Sequence, residues 1–286
     1  MSEPNSEAPS APDRPSRRWM RRVRIDQTVA GLCLALGVVM LGAHLESRWL
    51  VRQTAERVVG GGRPTVEERL TRIVAFVRDS VRVNRSPAEV SPAWVRLYYR
   101  LNPLHPGPGS VLRWGTDYRG PCGSKSRVVK SMLKATGAQA RLRLLLDENG
   151  ESVHTVVEAL EGERWIVADP TYAIVFHRRD GRGATADDLA ADTALFHAHV
   201  DTLPGYSPDY DYDAHTLFNW QKVPVVLPAV RDALTRLLGP ERVAEIKRPT
   251  LWMWPRLFYA LAFLAIGLAL GIVSRRRARR APPGSG

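Results

Sequence analysis

The sequence predicts an α+β domain framed by two apolar helices, and three observations predict it. Residues 27–45 and 257–274 contain no Asp, Glu, Lys or Arg over 19 and 18 positions. Behind Gly120-Pro121-Cys122, the apolar residues Val128, Val129, Met132 and Leu133 recur at helical spacing. Residues 153–169 then read as two alternating apolar runs around Glu161-Gly162, the pattern of an antiparallel hairpin.

The two apolar segments reach about 27–29 Å as helices, close to the roughly 30 Å of a bilayer core. Arg17, Arg18, Arg21, Arg22 and Arg24 precede the first, and Arg275, Arg276, Arg277, Arg279 and Arg280 follow the second. By the positive-inside rule both outer flanks are cytoplasmic, and the intervening chain lies across the membrane. Trp252, Trp254 and Tyr259 would form an aromatic belt at the far interface. Ala43-His44-Leu45 is a poor cleavage site, so the first segment reads as a retained anchor rather than a signal peptide.

Charge follows the same topology. The chain carries a net +12, yet residues 46–250 hold 29 basic and 25 acidic side chains, a net of +4. The excess sits in the spans and tails, which argues against a nucleic-acid surface. Cys33 falls inside the first span and Cys122 outside it, so no disulfide framework is expected.

Chemistry concentrates at Cys122. The N-terminal turn of a helix favours a thiolate through its unpaired N–H groups and its dipole. With Glu161-Gly162 as a two-residue turn, Leu160 faces Glu163 and His154 faces Asp169, their Cβ atoms about 5 Å apart. Taken singly, a lone cysteine is a small buried hydrophobe, and a strand histidine opposite an aspartate is a structural pair. In this order and on these elements, they compose a nucleophile, a base and an orienting carboxylate. The Cys122 N–H would supply half of an oxyanion hole; Trp114 and Tyr118 are upstream candidates for the rest.

These residues resemble the transglutaminase-like superfamily of papain-related cysteine enzymes. The likeness runs from Gly120 to Tyr172: Gly-Pro-Cys-Gly, an amphipathic helix, Gly137-Ala138-Gln139-Ala140-Arg141 entering a strand, His154, and Trp165-Ile166-Val167-Ala168-Asp169-Pro170-Thr171. It implies an α+β papain-like fold, with a cysteine-bearing helix packed on an antiparallel sheet that bears the histidine and the aspartate. It implies Cys122 as nucleophile, His154 as base and Asp169 as orienter. Two positions depart from the family's usual pattern: Val156 stands where many members carry an aromatic residue, and Ala138-Gln139 where they carry Ile-Pro.

The remaining segments fill in the organisation. Residues 1–26 form a basic tail, disordered over its first part, followed by the span at 27–45 and a flexible linker at 46–63 containing Gly60-Gly61-Gly62. A catalytic domain follows at 64–205, opening on a helix with Leu70, Ile73, Val74, Val77 and Val81 on one face. Residues 101–109 read as a loop. Residues 206–250 form an extension with a helix over 229–238, followed by the span at 251–274 and a basic tail at 275–286. His197 and His199, taken as strand residues, would share a face with His215 within reach, but their spacing is not that of a metal site. The run of tyrosines and aspartates from Tyr206 to Asp213 reads as a solvated loop.

The expected protein is thus a two-span enzyme of the inner membrane. Its extracytoplasmic domain acts on amide bonds of a protein, peptide or envelope substrate through an acyl-thioester, without metal or cofactor. The alternative is a non-catalytic scaffold for envelope polysaccharide assembly.

Overall fold

The computed structural model describes residues 17–81, 107–115, 121–206, 210–218, 226–246 and 255–279. Their helices are α1 (Arg17–Val59), α2 (Val66–Ser80), α3 (Pro108–Trp114), α4 (Pro121–Ala135), α5 (Ala186–Ala191), α6 (Thr193–Val200), α7 (Val226–Leu238), α8 (Pro240–Ala244) and α9 (Pro255–Arg279). The strands are β1 (Ala140–Leu146), β2 (Ser152–Glu161), β3 (Arg164–Asp169), β4 (Ile174–Val175) and β5 (His215–Thr216). They form one antiparallel sheet in the order β4-β3-β2-β1-β5. The α+β expectation holds.

The chain divides into two compact units, one of Met1–His44 with Trp254–Gly286 and one of Leu45–Met253. In the first, the apolar parts of α1 and α9 pack antiparallel. Gly37 lies against Leu264 and Gly267 against Leu34, each so closely that a Cβ would stand within 3 Å of the leucine. Small residues at such crossings let helix backbones approach. Asp26 pairs with Arg277 at 2.7 Å near one end of the two helices. Leu32, Val38, Val39, Leu261 and Leu268 point outward, which leaves an apolar exterior. Both helices are long and apolar enough to cross a membrane.

In the second unit, α1 continues past the apolar run to Val59, so the linker expected over 46–63 is helical for most of its length. Val51, Ala55 and Val59 recur every four residues and are buried in the core, which holds this segment in place. Only residues 60–63 form the joint. Helix α2 then starts with a capping box: the Thr65 hydroxyl accepts from Glu68 N–H at 3.2 Å, and the Glu68 carboxylate accepts from Thr65 N–H at 2.8 Å. Its apolar stripe is buried as the spacing predicts. The loop expected over 101–109 lies mostly outside the described residues. Its end is the start of α3, with Pro108 in the first turn, where a missing N–H costs nothing.

Two clusters of buried side chains sandwich the sheet, because successive strand residues face opposite sides. Val157, Ala159, Ile166 and Ala168 meet α2, α4 and the end of α1 on one side. Val156, Val167, Leu145 and Phe176 meet Leu189, Phe196, Val200, Tyr206 and Tyr212 on the other. Val156, the departure from the family pattern, is one of these core residues.

The hairpin register differs from the expected one. Leu160 pairs with Trp165 and Glu161 with Arg164, so the turn is Gly162-Glu163. Gly162 takes φ 61°, a conformation glycine adopts without penalty at the first turn position. The register therefore moves by two residues, and a shift of two leaves every side chain on its expected face.

Candidate functional site

Cys122 lies in the first turn of α4, after Pro121 at the head of the helix. Val128, Val129, Met132 and Leu133 bury the inner face of α4 and fix its axis against the sheet. Ser126 ties it further, donating to the Thr155 carbonyl at 2.8 Å. The helix closes at Gly137, where Ala138 N–H bonds back to the Leu133 carbonyl at 3.1 Å.

His154 sits beside a bulge. Leu145 pairs with His154 but Leu146 with Ser152, which leaves Val153 unpaired and 47% exposed. Such a bulge re-aims the adjacent side chain. His154 Nε2 lies 2.7 Å from Asp169 Oδ2, with the histidine 3% and the aspartate 0% exposed. Because of the moved register, this contact runs diagonally across the hairpin. The second carboxylate oxygen, Oδ1, accepts from Thr171 N–H at 2.9 Å. With Nε2 engaged, Nδ1 is the nitrogen left for Cys122, whose thiol pKa the imidazole lowers.

Electrostatics favour charge separation across this pair. Burial works against ionisation of the thiol, but the hydrogen bond and charge of His154 outweigh it, aided by Gly123 N–H, and the Cys122 pKa falls below its ordinary value. Burial likewise opposes the imidazolium. The hydrogen bonds to Asp169 and Cys122 overcome it, and His154 is pushed up to about 9. Lys125, one turn after Cys122, is buried with Nζ 3.5 Å from the Thr171 carbonyl. Burial lowers its pKa against the opposing attraction of Asp169.

Residues 52–170 match the family model of the transglutaminase-like superfamily. The chain carries a transglutaminase-like domain. That superfamily is one of cysteine enzymes, and the matched segment contains Cys122, His154 and Asp169. It also begins inside α1, in agreement with the burial of Val59 in the domain core. No curated protein and no solved structure matches the chain.

The structure brings Cys122, His154 and Asp169 together. Trp114 ends α3, but its side chain and the whole of Tyr118 lie outside the described residues. His197 and His199 lie on a helix, not a strand, and so they diverge. His197 pairs with Asp201 at 2.8 Å, whereas His199 Nε2 accepts from His177 N–H at 3.2 Å. His215 Nδ1 lies 2.8 Å from Arg143 Nη2. Among the described residues no three potential metal ligands converge.

Sequence reasoning missed the tyrosines around the transglutaminase-like site. Tyr206 and Tyr212, expected in a solvated loop, are 9% and 3% exposed, and Tyr210 stacks on His154. The available signal was three tyrosines within seven residues, too much apolar area to leave in water. Their segment is held by a buried ion network. Arg143 donates from Nη1 to Glu158 Oε1 at 3.0 Å and from Nη2 to the Tyr212 carbonyl at 2.8 Å. Arg141 donates from Nε to Glu158 Oε2 at 2.5 Å.

Proposed function

We propose that this protein is a membrane-anchored cysteine enzyme that cleaves amide bonds by way of an acyl-thioester on Cys122. The observation that carries the reading is the buried His154–Asp169 hydrogen bond together with the half-buried Cys122 in the first turn of α4, whose thiol the imidazole acidifies. Cys122, as thiolate, attacks the amide carbonyl. The oxygen takes the negative charge, with Cys122 N–H at the head of α4 as one donor to it. The C–N bond then breaks, and the His154 imidazolium gives its proton to the departing amine. His154, now neutral, takes a proton from water as the water attacks the thioester. The carboxylic acid leaves, and the thiolate–imidazolium pair is restored. Asp169 holds the imidazole in the tautomer with hydrogen on Nε2 and stabilises its charged form. No step calls for a metal or a cofactor.

Water is the acceptor available everywhere, which favours a peptidase or amidase over a cross-linking transglutaminase. The apolar exteriors of α1 and α9 and the arginines flanking them support two membrane spans, with both termini cytoplasmic and the domain outside. The substrate would then be a peptide or amide of the cell envelope. The test is to incubate full-length protein with envelope peptides, quench in acid and search Cys122 for an acyl adduct by mass spectrometry. An adduct absent from Cys122→Ala is expected. Its absence from the wild type across such extracts would favour the scaffold instead.

A further inference from the structure

Tyr210 lies flat on the imidazole of His154, with ring centroids 4.3 Å apart and planes 10° from parallel. Tyr206 stands edge-on to both rings, 6.4 Å from His154 and 5.2 Å from Tyr210. The Tyr206 and Tyr212 hydroxyl oxygens are 2.9 Å apart. Either hydroxyl can donate across that pair, and burial together with the charge of Asp169 raises the Tyr206 pKa.

Three of the surrounding tyrosines are held by further contacts. Phe196 packs edge-on to Tyr206 and tilted against Tyr212, at 6.0 and 5.6 Å. Arg143, locked by Glu158, holds the Tyr212 carbonyl. Tyr172 donates to the Gly205 carbonyl at 2.5 Å, which ties the chain after β3 to the residue before Tyr206. All four tyrosines lie beyond residue 170, where the family match ends.

We propose that Tyr206 and Tyr210, supplied by chain outside the matched domain, are positioning residues for the His154–Asp169 pair. Tyr210 sets the plane of the imidazole and offers its π face to the imidazolium. Tyr206, edge-on to both rings, would donate its hydroxyl to the Asp169 carboxylate and draw off part of its charge. The inference rests on the Cys-His-Asp reading above. The ionisable groups facing His154 are Cys122 from α4, Asp169 from β3, Tyr172 just after β3, and Tyr206 and Tyr210 from the segment before β5. Lys125 adds its charge through Asp169.

The test is a titration of the His154 ring by NMR in full-length, ¹³C-histidine-labelled protein, alongside thermal melting to show that each variant is folded. Tyr210→Leu removes the π face and should lower the His154 midpoint by about half a pH unit. Tyr210→Phe keeps the face and should titrate with the wild type. Tyr206→Phe leaves Asp169 with more charge for the imidazolium and should raise the midpoint. A Leu variant that titrates with the wild type, or a Phe variant that moves as far as Leu, overturns the role of Tyr210. A midpoint that stays put or falls in Tyr206→Phe overturns that of Tyr206. If the wild-type midpoint lies at the ordinary histidine value, it is the underlying Cys-His-Asp reading that fails, and this inference goes with it.

Discussion

His154 and Asp169 meet at 2.7 Å across a diagonal of the hairpin, on the same face of the sheet but not directly opposite. Diagonal neighbours on a sheet lie farther apart than opposite ones, yet within reach of longer side chains. The bulge at Val153 turns the imidazole toward the carboxylate and leaves its other nitrogen for Cys122.

Replacement of Asp169 by Asn removes the charge that stabilises the imidazolium and allows the wrong tautomer. A comparable change in a serine-protease triad costs about four orders of magnitude in turnover. A thiolate pair leans less on its third member, so a loss on the order of 10–1000-fold is expected, with the hairpin still folded. Turnover and melting of one preparation check both halves; full turnover in Asp169→Asn would reduce the residue to a strand-end support.

The pH profile should be bell-shaped. Its acid limb follows Cys122, whose depressed pKa keeps the thiolate below the free value of about 8.5. Its alkaline limb follows loss of the His154 proton at about 9. Stability obeys the same signs. The imidazolium contributes fully below the ordinary histidine value of 6.5, and its contribution is lost as pH rises through about 9. The thiolate contributes above the ordinary thiol pKa, and its share is lost as pH falls through the depressed one. Melting across pH 6 to 10, compared with His154→Ala, checks the histidine part.

Much of this was legible in the sequence. Helical spacing placed Val128, Val129, Met132 and Leu133 inward, and the alternation in β2 and β3 put His154 and Asp169 on one face. The turn was misplaced because Glu161-Gly162 looks like an X-Gly turn, whereas glycine occupies the first turn position here. The burial of Tyr206 and Tyr212 was hidden because it depends on packing against Phe196 of α6 and on Arg143, which lies 69 residues before Tyr212. The helical state of residues 46–59 was hidden for a similar reason: polar residues surround Val51, Ala55 and Val59, and only the packed core shows their common face.

Glu158 and Arg143 form a buried pair with side chains 1% and 5% exposed. Removing one partner strands a charge, so Glu158→Ala should destabilise the domain by about 3–5 kcal/mol. Because Arg143 also holds the Tyr212 carbonyl, the stacking on His154 should loosen as well. Denaturant unfolding measures the first effect, and a destabilisation below about 1 kcal/mol would show that the site tolerates the open charge.

Reporter fusions test the topology. A fusion at Gly286 should report cytoplasm and one inserted at Gly61 the opposite side, as the flanking arginines require. An external C-terminus would reverse the compartment in which Cys122 works.

The most direct test of the central claim is the pH dependence of Cys122 alkylation by iodoacetamide, followed on the Cys122 peptide in wild type and His154→Ala. The account predicts a wild-type thiol that reacts as thiolate well below pH 8.5, and one that returns to about that ordinary value once the imidazole is gone. A wild-type thiol with an ordinary profile, or a low one indifferent to His154, would contradict it.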